Sequence, residues 1–112
     1  VIARRGPRDD WFADTAELTS REWTVSAKSN RVGVRLEGAT IARDGAHQGE
    51  LPTEGMVRGS VQVPPSGEPV VFLADHPVTG GYPVIGVATP DSVDRLAQAL
   101  PGQKVVFRWK RE

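Results

Sequence analysis

Glycines and prolines divide this chain into short apolar segments, and that division is the strongest constraint on its fold. The sequence holds twelve glycines and nine prolines among 112 residues, with dense groups at 64–69 and 77–83. Short segments suit β-strands, which usually run for about 3–10 residues, better than helices, which need more residues to be stable. We therefore predict many short strands joined by tight turns.

Alternation of apolar and polar residues locates the strands within these segments. Trp23 and Val25, for example, alternate with polar neighbours. A glycine at position 33 interrupts the next alternating segment, which predicts a bulge or a close approach of two backbones at Gly33. Two later segments are continuously apolar, which favours strands buried on both faces. The predicted strands are 22–27, 31–37, 60–63, 70–74, 84–88 and 105–110.

Two short helices are predicted between the strands. One helix is predicted to follow Thr89, which suits its N-cap. Pro90 suits its first helical position, and Pro101-Gly102 would end it. A second helix is predicted over 10–18, with Asp9 or Asp10 as its cap. The predicted apolar face of the helix that follows Thr89 consists of Val93, Leu96, Ala97 and Leu100.

The remaining segments carry weaker signals. Residues 1–8 contain a Gly-Pro break and predict a linker or a truncated first strand. Residues 42–55 hold few apolar side chains and predict an exposed loop. The length suits one domain, and the start at Val1 predicts a processed product or a piece of a longer protein.

Charge and cysteine content exclude several classes of function. Basic and acidic residues number 14 each, so the summed charge gives no reason to expect a nucleic acid or an anionic membrane as partner. Without cysteine, the sequence has no disulfide framework and no thiolate ligand or nucleophile. The two histidines, His47 and His76, are far apart in the sequence, so we predict no metal site and a solvent-exposed His47.

Residues near the predicted strand ends allow two interpretations each. Gly80 and Gly81 can turn their amides toward one point and bind an anion, or can form a simple turn. Arg31 and Arg35, four residues apart on a predicted strand, can bind a carboxylate or phosphate, or can form a solvated face. Gln62 both donates and accepts hydrogen bonds, so it can hold an amide-type substrate or can be an ordinary polar residue.

Longer motifs carry a resemblance to a known family. They are SNRVGVRLEG at 29–38, TEG at 53–55, GSVQVPPSGEP at 59–69 and LADHPVTGGYP at 73–83. In this order they resemble the C-terminal half of allophanate hydrolase subunit 2, also called the C subunit of 5-oxoprolinase. Members of that family often have Asp in place of Asn30, a bulkier residue in place of Val34, and a polar pair in place of Pro77-Val78.

The resemblance implies a mainly β protein, a cyclophilin-like β-barrel with two short helices. Residues 1–112 would form a single lobe, the C-terminal lobe of a two-lobed subunit that pairs with a homologue of subunit 1, the B subunit of 5-oxoprolinase. Together they would resemble the carboxyltransferase part of urea carboxylase. Such complexes open 5-oxoproline to glutamate with ATP, or act on allophanate or urea. We expect a cytoplasmic subunit that is inactive alone and binds no cofactor itself, with ATP or biotin used by the wider complex.

The resemblance also implies which residues form the site. The backbone amides of Gly80 and Gly81 would stabilise an oxyanion, and Tyr82 would pack against a small planar substrate. The catalytic candidates are Glu54, Gln62, Asp75 and His76. The substrate-binding candidates are Arg31, Arg35, Gln62, Pro64, Thr79, Gly80, Gly81 and Tyr82.

An alternative function is a regulatory binding module, because the family also resembles the antagonist of a sporulation-kinase inhibitor. Such a module would pair with a homologue of the inhibitor through an exposed apolar patch, for which Trp11, Trp23 and Trp109 are candidates. A third possibility is a fragment that has no function alone.

Overall fold

Ten β-strands, two α-helices and one 3₁₀ turn occur in the part of the chain that the computed structural model describes, residues 1–47 and 54–111. The strands are β1 (Ile2–Arg5), β2 (Glu22–Val25), β3 (Gly33–Glu37), β4 (Glu54–Gly55), β5 (Ser60–Gln62), β6 (Val70–Phe72), β7 (Thr79–Gly80), β8 (Val84–Ala88), β9 (Lys104–Val106) and β10 (Arg108–Trp109). The 3₁₀ turn is Asp9–Trp11, and the helices are α1 (Ala16–Thr19) and α2 (Pro90–Leu96).

Eight of the strands form one sheet that curls into a nearly closed barrel. Their order is β10-β1-β8-β5-β6-β3-β2-β9. Neighbours are antiparallel except β1 and β10, which are parallel. The two edge strands, β9 and β10, are separated in the chain by Phe107 alone, so the two edges of the sheet lie side by side. This confirms the predicted mainly β barrel with two short helices.

Apolar side chains fill the barrel and a smaller cluster outside it. Val71 is fully buried in the main core, whereas its neighbour Phe72 packs in the second cluster with Met56 and Val84. Successive residues of a strand point to opposite faces, so β6 buries both of its faces, as its continuous apolar run predicts. The largest fully buried side chains of the main core are Trp23, Phe107, Leu18, Leu36 and Ile85.

Gly33 confirms the predicted close approach of two backbones. A Cβ atom at this position would lie 2.8 Å from Val70 Cγ1 and 3.2 Å from the carbonyl oxygen of Val71. The first distance is shorter than real Cβ contacts and the second is tight, so a side chain here would require Val70 and the backbone of β6 to shift. Glycine therefore permits this strand pair to form.

The prediction of one helix over 10–18 is wrong. The chain forms the 3₁₀ turn, then an antiparallel bridge between Phe12 and Arg43, and enters α1 only at Ala16. A carboxylate oxygen of Asp14 accepts a hydrogen bond from the Ala16 amide at 2.9 Å. The bridge requires extended backbone at Phe12, and that pairing interrupts the helix.

Helix α2 begins as predicted, with Thr89 as its N-cap, but it ends at Leu96. Val93 is buried against the core, in agreement with the prediction. The apolar face does not continue beyond the helix end, so the prediction is wrong for Ala97, which is exposed, and for Leu100, which is 71% exposed. Among the described residues, no helix is long and apolar enough to span a membrane.

Residues 1–8 are not a linker, because β1 is an integral strand of the barrel. It pairs with β8 on one side and β10 on the other. Directly after it, the amide of Gly6 donates a hydrogen bond to the carbonyl of Ile85 at 2.9 Å. Of the two interpretations of this segment, the strand is confirmed.

The predicted exposed loop over 42–55 is confirmed for 42–47, which are exposed or half-buried and lie outside the helices and strands, and is wrong for 54–55. The amide of Asp44 donates to the carbonyl of Trp11 at 2.8 Å, so this segment packs against the 3₁₀ turn. Residues 48–53, which include Thr53 of the family motif, lie outside the described residues. The last two residues, 54–55, form β4.

Candidate functional site

A two-stranded ribbon of β4 and β7 brings polar residues to the side of the barrel. Glu54 pairs in register with Gly80, and Gly55 pairs with Thr79, which is exposed. Met56, the next residue after β4, is buried in the second core cluster and anchors the ribbon. The ribbon therefore holds Glu54 and Gly80 in fixed positions beside the end of β5.

Gly80 packs directly against the side chain of Gln62, the last residue of β5. A Cβ atom on Gly80 would lie 2.9 Å from Gln62 Nε2 and 3.0 Å from Met56 Sδ. Any side chain at position 80 would therefore displace the Gln62 amide and the Met56 sulfur. Gln62 itself is buried. The structure thus brings together three predicted site residues, Glu54, Gln62 and Gly80.

Arg8 binds the carboxylate of Glu54 in the ribbon. Its Nε donates a hydrogen bond to Glu54 Oε1 at 2.9 Å, and its Nη2 contacts the same oxygen. The hydrogen bond and the charge of Glu54 raise the pKa of the Arg8 guanidinium. Sequence reasoning missed Arg8, because no local pattern connects two residues that are 46 positions apart.

Arg43 connects the end of β5 with the glycine-rich connector. Its guanidinium carbon lies 5.8 Å from the centroid of the Tyr82 ring, and its Nη2 donates to the carbonyl of Val63 at 3.3 Å. Arg43 was also missed, since the bridge to Phe12 that positions it has no signal in the sequence. We call the following set the Gln62 cluster: Arg8, Arg43, Glu54, Gln62, Gly80, Gly81 and Tyr82.

A polar groove of about 390 Å³ lies beside Arg43. It is lined by residues 40–43 and by 64–67, which include the predicted binding residue Pro64. Gly67 has a φ of +83° and packs so close to Thr40 that a Cβ atom there would lie 2.8 Å from Thr40 Cβ. Arg43 therefore lines a groove together with the connector at 64–67 and contacts Tyr82 of the other connector.

The other predicted site residues lie apart from the Gln62 cluster. Arg31 precedes β3, lines a separate groove of about 400 Å³, and has its Nε 3.6 Å from Asp75 Oδ2. His76 Nδ1 lies 2.6 Å from the carbonyl oxygen of Pro77, within its own turn. Arg35 is exposed on β3 and lines a third groove of about 130 Å³. The two arginines therefore do not share one strand face.

Asn30, where the family often has Asp, shapes the turn before β3. Its Oδ1 accepts hydrogen bonds from the amides of Val32 at 2.9 Å and Gly33 at 3.3 Å. This is the Asx-turn geometry that either Asn or Asp can make.

The tryptophans do not form the exposed patch that the regulatory alternative requires. Trp23 is fully buried, and Trp109 is half-buried beneath the Arg5 guanidinium, 4.7 Å from its ring centroid. Trp11 is half-buried and stacks on His47 with ring centroids 4.5 Å apart. The prediction of a solvent-exposed His47 is therefore wrong. Across residues 1–47 and 54–111, no three His, Asp or Glu side chains are grouped to hold a metal ion.

Comparison with known proteins identifies the class of domain that this barrel represents. It superposes on the crystal structure of Kluyveromyces lactis urea carboxylase with a TM-score of 0.85 at 24% identity, over 96% of this chain and 10% of that chain. It superposes on the crystal structure of the protein TTHA0988 with a TM-score of 0.79 at 34% identity, over 96% and 20%. These superpositions show a shared fold. The profile "Carboxyltransferase domain, subdomain A and B" matches residues 1–109, and the chain belongs to that family.

Curated relatives show which members of the family this chain is similar to. The C subunit of Haemophilus influenzae 5-oxoprolinase is 38% identical over 86 residues, which is 77% of this chain and 27% of that protein. The same subunit of the Escherichia coli enzyme is 40% identical over 85 residues, 76% and 27%. Urea amidolyase of Lachancea kluyveri is 30% identical over 98 residues, 81% and 5%. The alignment with the two 5-oxoprolinase relatives covers about a quarter of their length, and the predicted resemblance to them is confirmed.

Proposed function

We propose that this chain is part of a subunit of an enzyme complex that acts on a small amide, with 5-oxoproline as substrate and glutamate as product. The observation that carries the proposal is the 38–40% identity to the C subunit of 5-oxoprolinase over about three quarters of the chain. An allophanate hydrolase or urea carboxylase type of complex is the alternative substrate assignment, supported by the weaker similarity to urea amidolyase.

The Gln62 cluster has the hydrogen-bonding groups that a cyclic amide needs. When the ring of 5-oxoproline opens, a water oxygen bonds to the carbonyl carbon, the ring C–N bond breaks, and the nitrogen takes up a proton. Negative charge develops on the carbonyl oxygen, where fixed N–H donors stabilise it. The ribbon pairing directs the Gly80 amide to the Glu54 carbonyl, so it is not a donor for that oxygen. We assign the amide of Gly81 and the Nε2 of Gln62 to that oxygen, while the Glu54 carboxylate, held by Arg8, accepts from the lactam N–H.

In this proposal, other parts of the complex supply the remaining lobe, the partner subunit and the ATP or biotin chemistry. We expect an N-terminal lobe and a homologue of subunit 1, the B subunit of 5-oxoprolinase, to complete the assembly in the cytoplasm. ATP, or biotin in a urea carboxylase type of complex, would be handled by other parts of the assembly, and no role assigned to this chain depends on contact with either. Arg31, Arg35, Asp75 and His76, which lie outside the Gln62 cluster, have no assigned role.

A substrate comparison on the reconstituted complex tests the proposal. The full-length subunit is expressed with its partner subunits, and glutamate formation from 5-oxoproline with ATP is measured beside urea-dependent ATP hydrolysis with bicarbonate. We expect glutamate formation and no stimulation by urea. Urea-dependent turnover without any glutamate from 5-oxoproline would establish the alternative, and turnover of neither compound would contradict the assignment to this class of reaction.

A further inference from the structure

Exposed cations gather on the outer face of strands β1 and β10. The two strands run parallel with Ile2 opposite Arg108, and the Lys110 amide donates to the Ala3 carbonyl at 2.7 Å just beyond the last pair. Because residues two apart on a strand share a face, Arg4 lies on the side of Ile2, and Lys110 on the side of Arg108. All three basic residues are exposed. We call Arg4, Arg108 and Lys110 the basic face.

Two grooves adjoin along the basic face. One of about 640 Å³ is lined by Arg4, Lys110 and residues 87–91. The other, of about 460 Å³, is lined by Arg108, Lys110 and the rest of 107–111. Ile2 and Lys110 line both grooves, so the two meet at these residues. The cations therefore border a recessed surface, which a protruding segment of another protein can enter.

Carboxylates that could neutralise the basic face are scarce in the described part of the chain. Among the described residues that line the two grooves, Asp91 alone is acidic. None of the three cations forms an ion pair with a described carboxylate, whereas Arg8, Arg21 and Arg58 each bind one. Like charges on neighbouring strands repel each other. The opposite charge is therefore expected from another molecule.

Apolar side chains between the cations indicate what kind of molecule this is. Ile2 and Val87 are half-buried and, with Pro90, line the larger groove. Apolar surface inside a polar rim is typical of protein–protein interfaces, whereas nucleic acids are bound chiefly through cations on their phosphates. A symmetric contact with a second copy would bring the same cations together. The composition therefore favours a different protein with an acidic surface.

We propose that the basic face docks an acidic surface of the partner subunit, the homologue of subunit 1. Carboxylates of the partner pair with Arg4, Arg108 and Lys110, while its apolar side chains cover Ile2 and Val87. This inference rests on the proposed function, which supplies the partner, and deepens it by naming the surface of this chain that the partner contacts. Pairing of this kind accelerates association and weakens as salt screens the charges.

Association kinetics between the full-length subunit and the purified homologue of subunit 1 test the proposal. Lys110→Glu is expected to lower the association rate constant about 10-fold at low salt, because complementary faces accelerate encounter by roughly 10- to 1,000-fold. The wild-type rate constant is expected to fall as salt rises from about 0.05 to 0.5 M, and to fall less steeply in the variant. The matched control is Lys28→Glu, which reverses an exposed lysine that lines neither groove, with an expected change below twofold.

Other occupants of the basic face give different results. Equal association rate constants in Lys110→Glu and Lys28→Glu would overturn the proposal. A lower free energy of unfolding of full-length Lys110→Glu with unchanged association would overturn it in favour of the N-terminal lobe. Binding of a DNA duplex that is lost in Lys110→Glu, with unchanged association, would overturn it in favour of a nucleic acid. If Lys110→Glu does not fold, Arg4→Glu on the neighbouring strand decides the question with the same expected results.

Glutamate formation from 5-oxoproline, measured on the same preparations, separates this proposal from the proposed function. Association that weakens in Lys110→Glu, without glutamate formation by the wild-type complex, would support the docking surface and contradict the proposed reaction. Glutamate formation with equal association rate constants in wild type and Lys110→Glu would support the reaction and overturn the docking surface. A wild-type subunit that neither associates nor forms glutamate would overturn both.

Discussion

Trp23 is the largest side chain that the core buries completely. Its Nε1 donates a hydrogen bond to the carbonyl of Leu18 at 2.9 Å, which joins β2 to the end of α1. A buried tryptophan usually finds a partner for its N–H in this way. Trp23 is therefore a structural residue of the barrel and not part of a binding surface.

The change Trp23→Phe is predicted to lower the free energy of unfolding by about 2–4 kcal/mol. It leaves the buried Leu18 carbonyl without its donor and opens a cavity where the second ring of the indole lay. Urea denaturation followed by circular dichroism measures the effect. Val106→Ala, at a half-exposed position, is the control and is expected to change the free energy by less than about 0.5 kcal/mol. A loss as small as the control's would contradict the structural role of Trp23.

The candidate site was predictable only for residues whose role depends on local chemistry. Gln62 is a candidate because its amide both donates and accepts hydrogen bonds, and Gly80 because glycine leaves its backbone accessible. The structure joins the two through the β4–β7 ribbon. Arg8 and Arg43 carry no such local signal. Their partners, Glu54 and Val63, are 46 and 20 positions away, so only the folded chain brings them into contact.

Elements were predictable where their pattern is complete within the segment. Strand β8 and the start of α2 follow from a continuous apolar run and from the Thr-Pro cap. The helix over 10–18 failed because a tertiary bridge at Phe12 competes with the local helical preference. Similarly, the two-residue strands β4 and β7 are too short for any periodicity and exist because they pair with each other.

A buried hydroxyl helps to join helix α2 to β1, beside the hydrogen bond from the Thr89 amide to the Ile2 carbonyl at 2.9 Å, and removing it is predicted to loosen that junction. Ser92 Oγ accepts hydrogen bonds from the Ile2 amide at 2.8 Å and from Thr89 Oγ1 at 3.0 Å. Ser92→Ala leaves the Ile2 amide without its partner, which is expected to cost about 1–2 kcal/mol of unfolding free energy.

Urea denaturation and hydrogen exchange at Ile2 measure the effect of Ser92→Ala, with Ser66→Ala in an exposed turn as the control. The control is expected to be within about 0.5 kcal/mol of the wild type. Unchanged stability together with unchanged exchange at Ile2 would show that the hydroxyl does not hold the junction.

At the scale of the whole molecule, closure of the barrel explains why the cluster forms from distant segments. The sheet begins and ends in strands that flank Phe107, so β1, β5 and β8 lie side by side despite their separation in the chain. The segment that follows β1 places Arg8 against the ribbon, and the ribbon in turn contacts the end of β5. Topology of this kind follows from strand pairing, which short alternating segments do not specify. The β-barrel was predicted instead from the resemblance of the motifs to a known family.

We infer that glycine at position 80 assembles the candidate site by letting the ribbon reach Gln62. The most direct test is kcat/KM for 5-oxoproline in the reconstituted complex, with Gly80→Ala compared against Gly55→Ala. Both glycines lie in the same ribbon, but a Cβ atom at Gly80 would lie 2.9 Å from Gln62 Nε2, whereas at Gly55 it would meet nothing within 4 Å. The clash at Gly80 involves the flexible ends of Gln62 and Met56, so the amide should move while the fold survives.

We predict a loss in kcat/KM of about 30- to 100-fold for Gly80→Ala, because displacing a positioning group by about 1 Å costs on that order. For Gly55→Ala we predict a change of less than about twofold, with both variants assembling as the wild type does in size-exclusion chromatography. Equal kcat/KM in the two variants would contradict the claim that the contact between Gly80 and Gln62 forms the site.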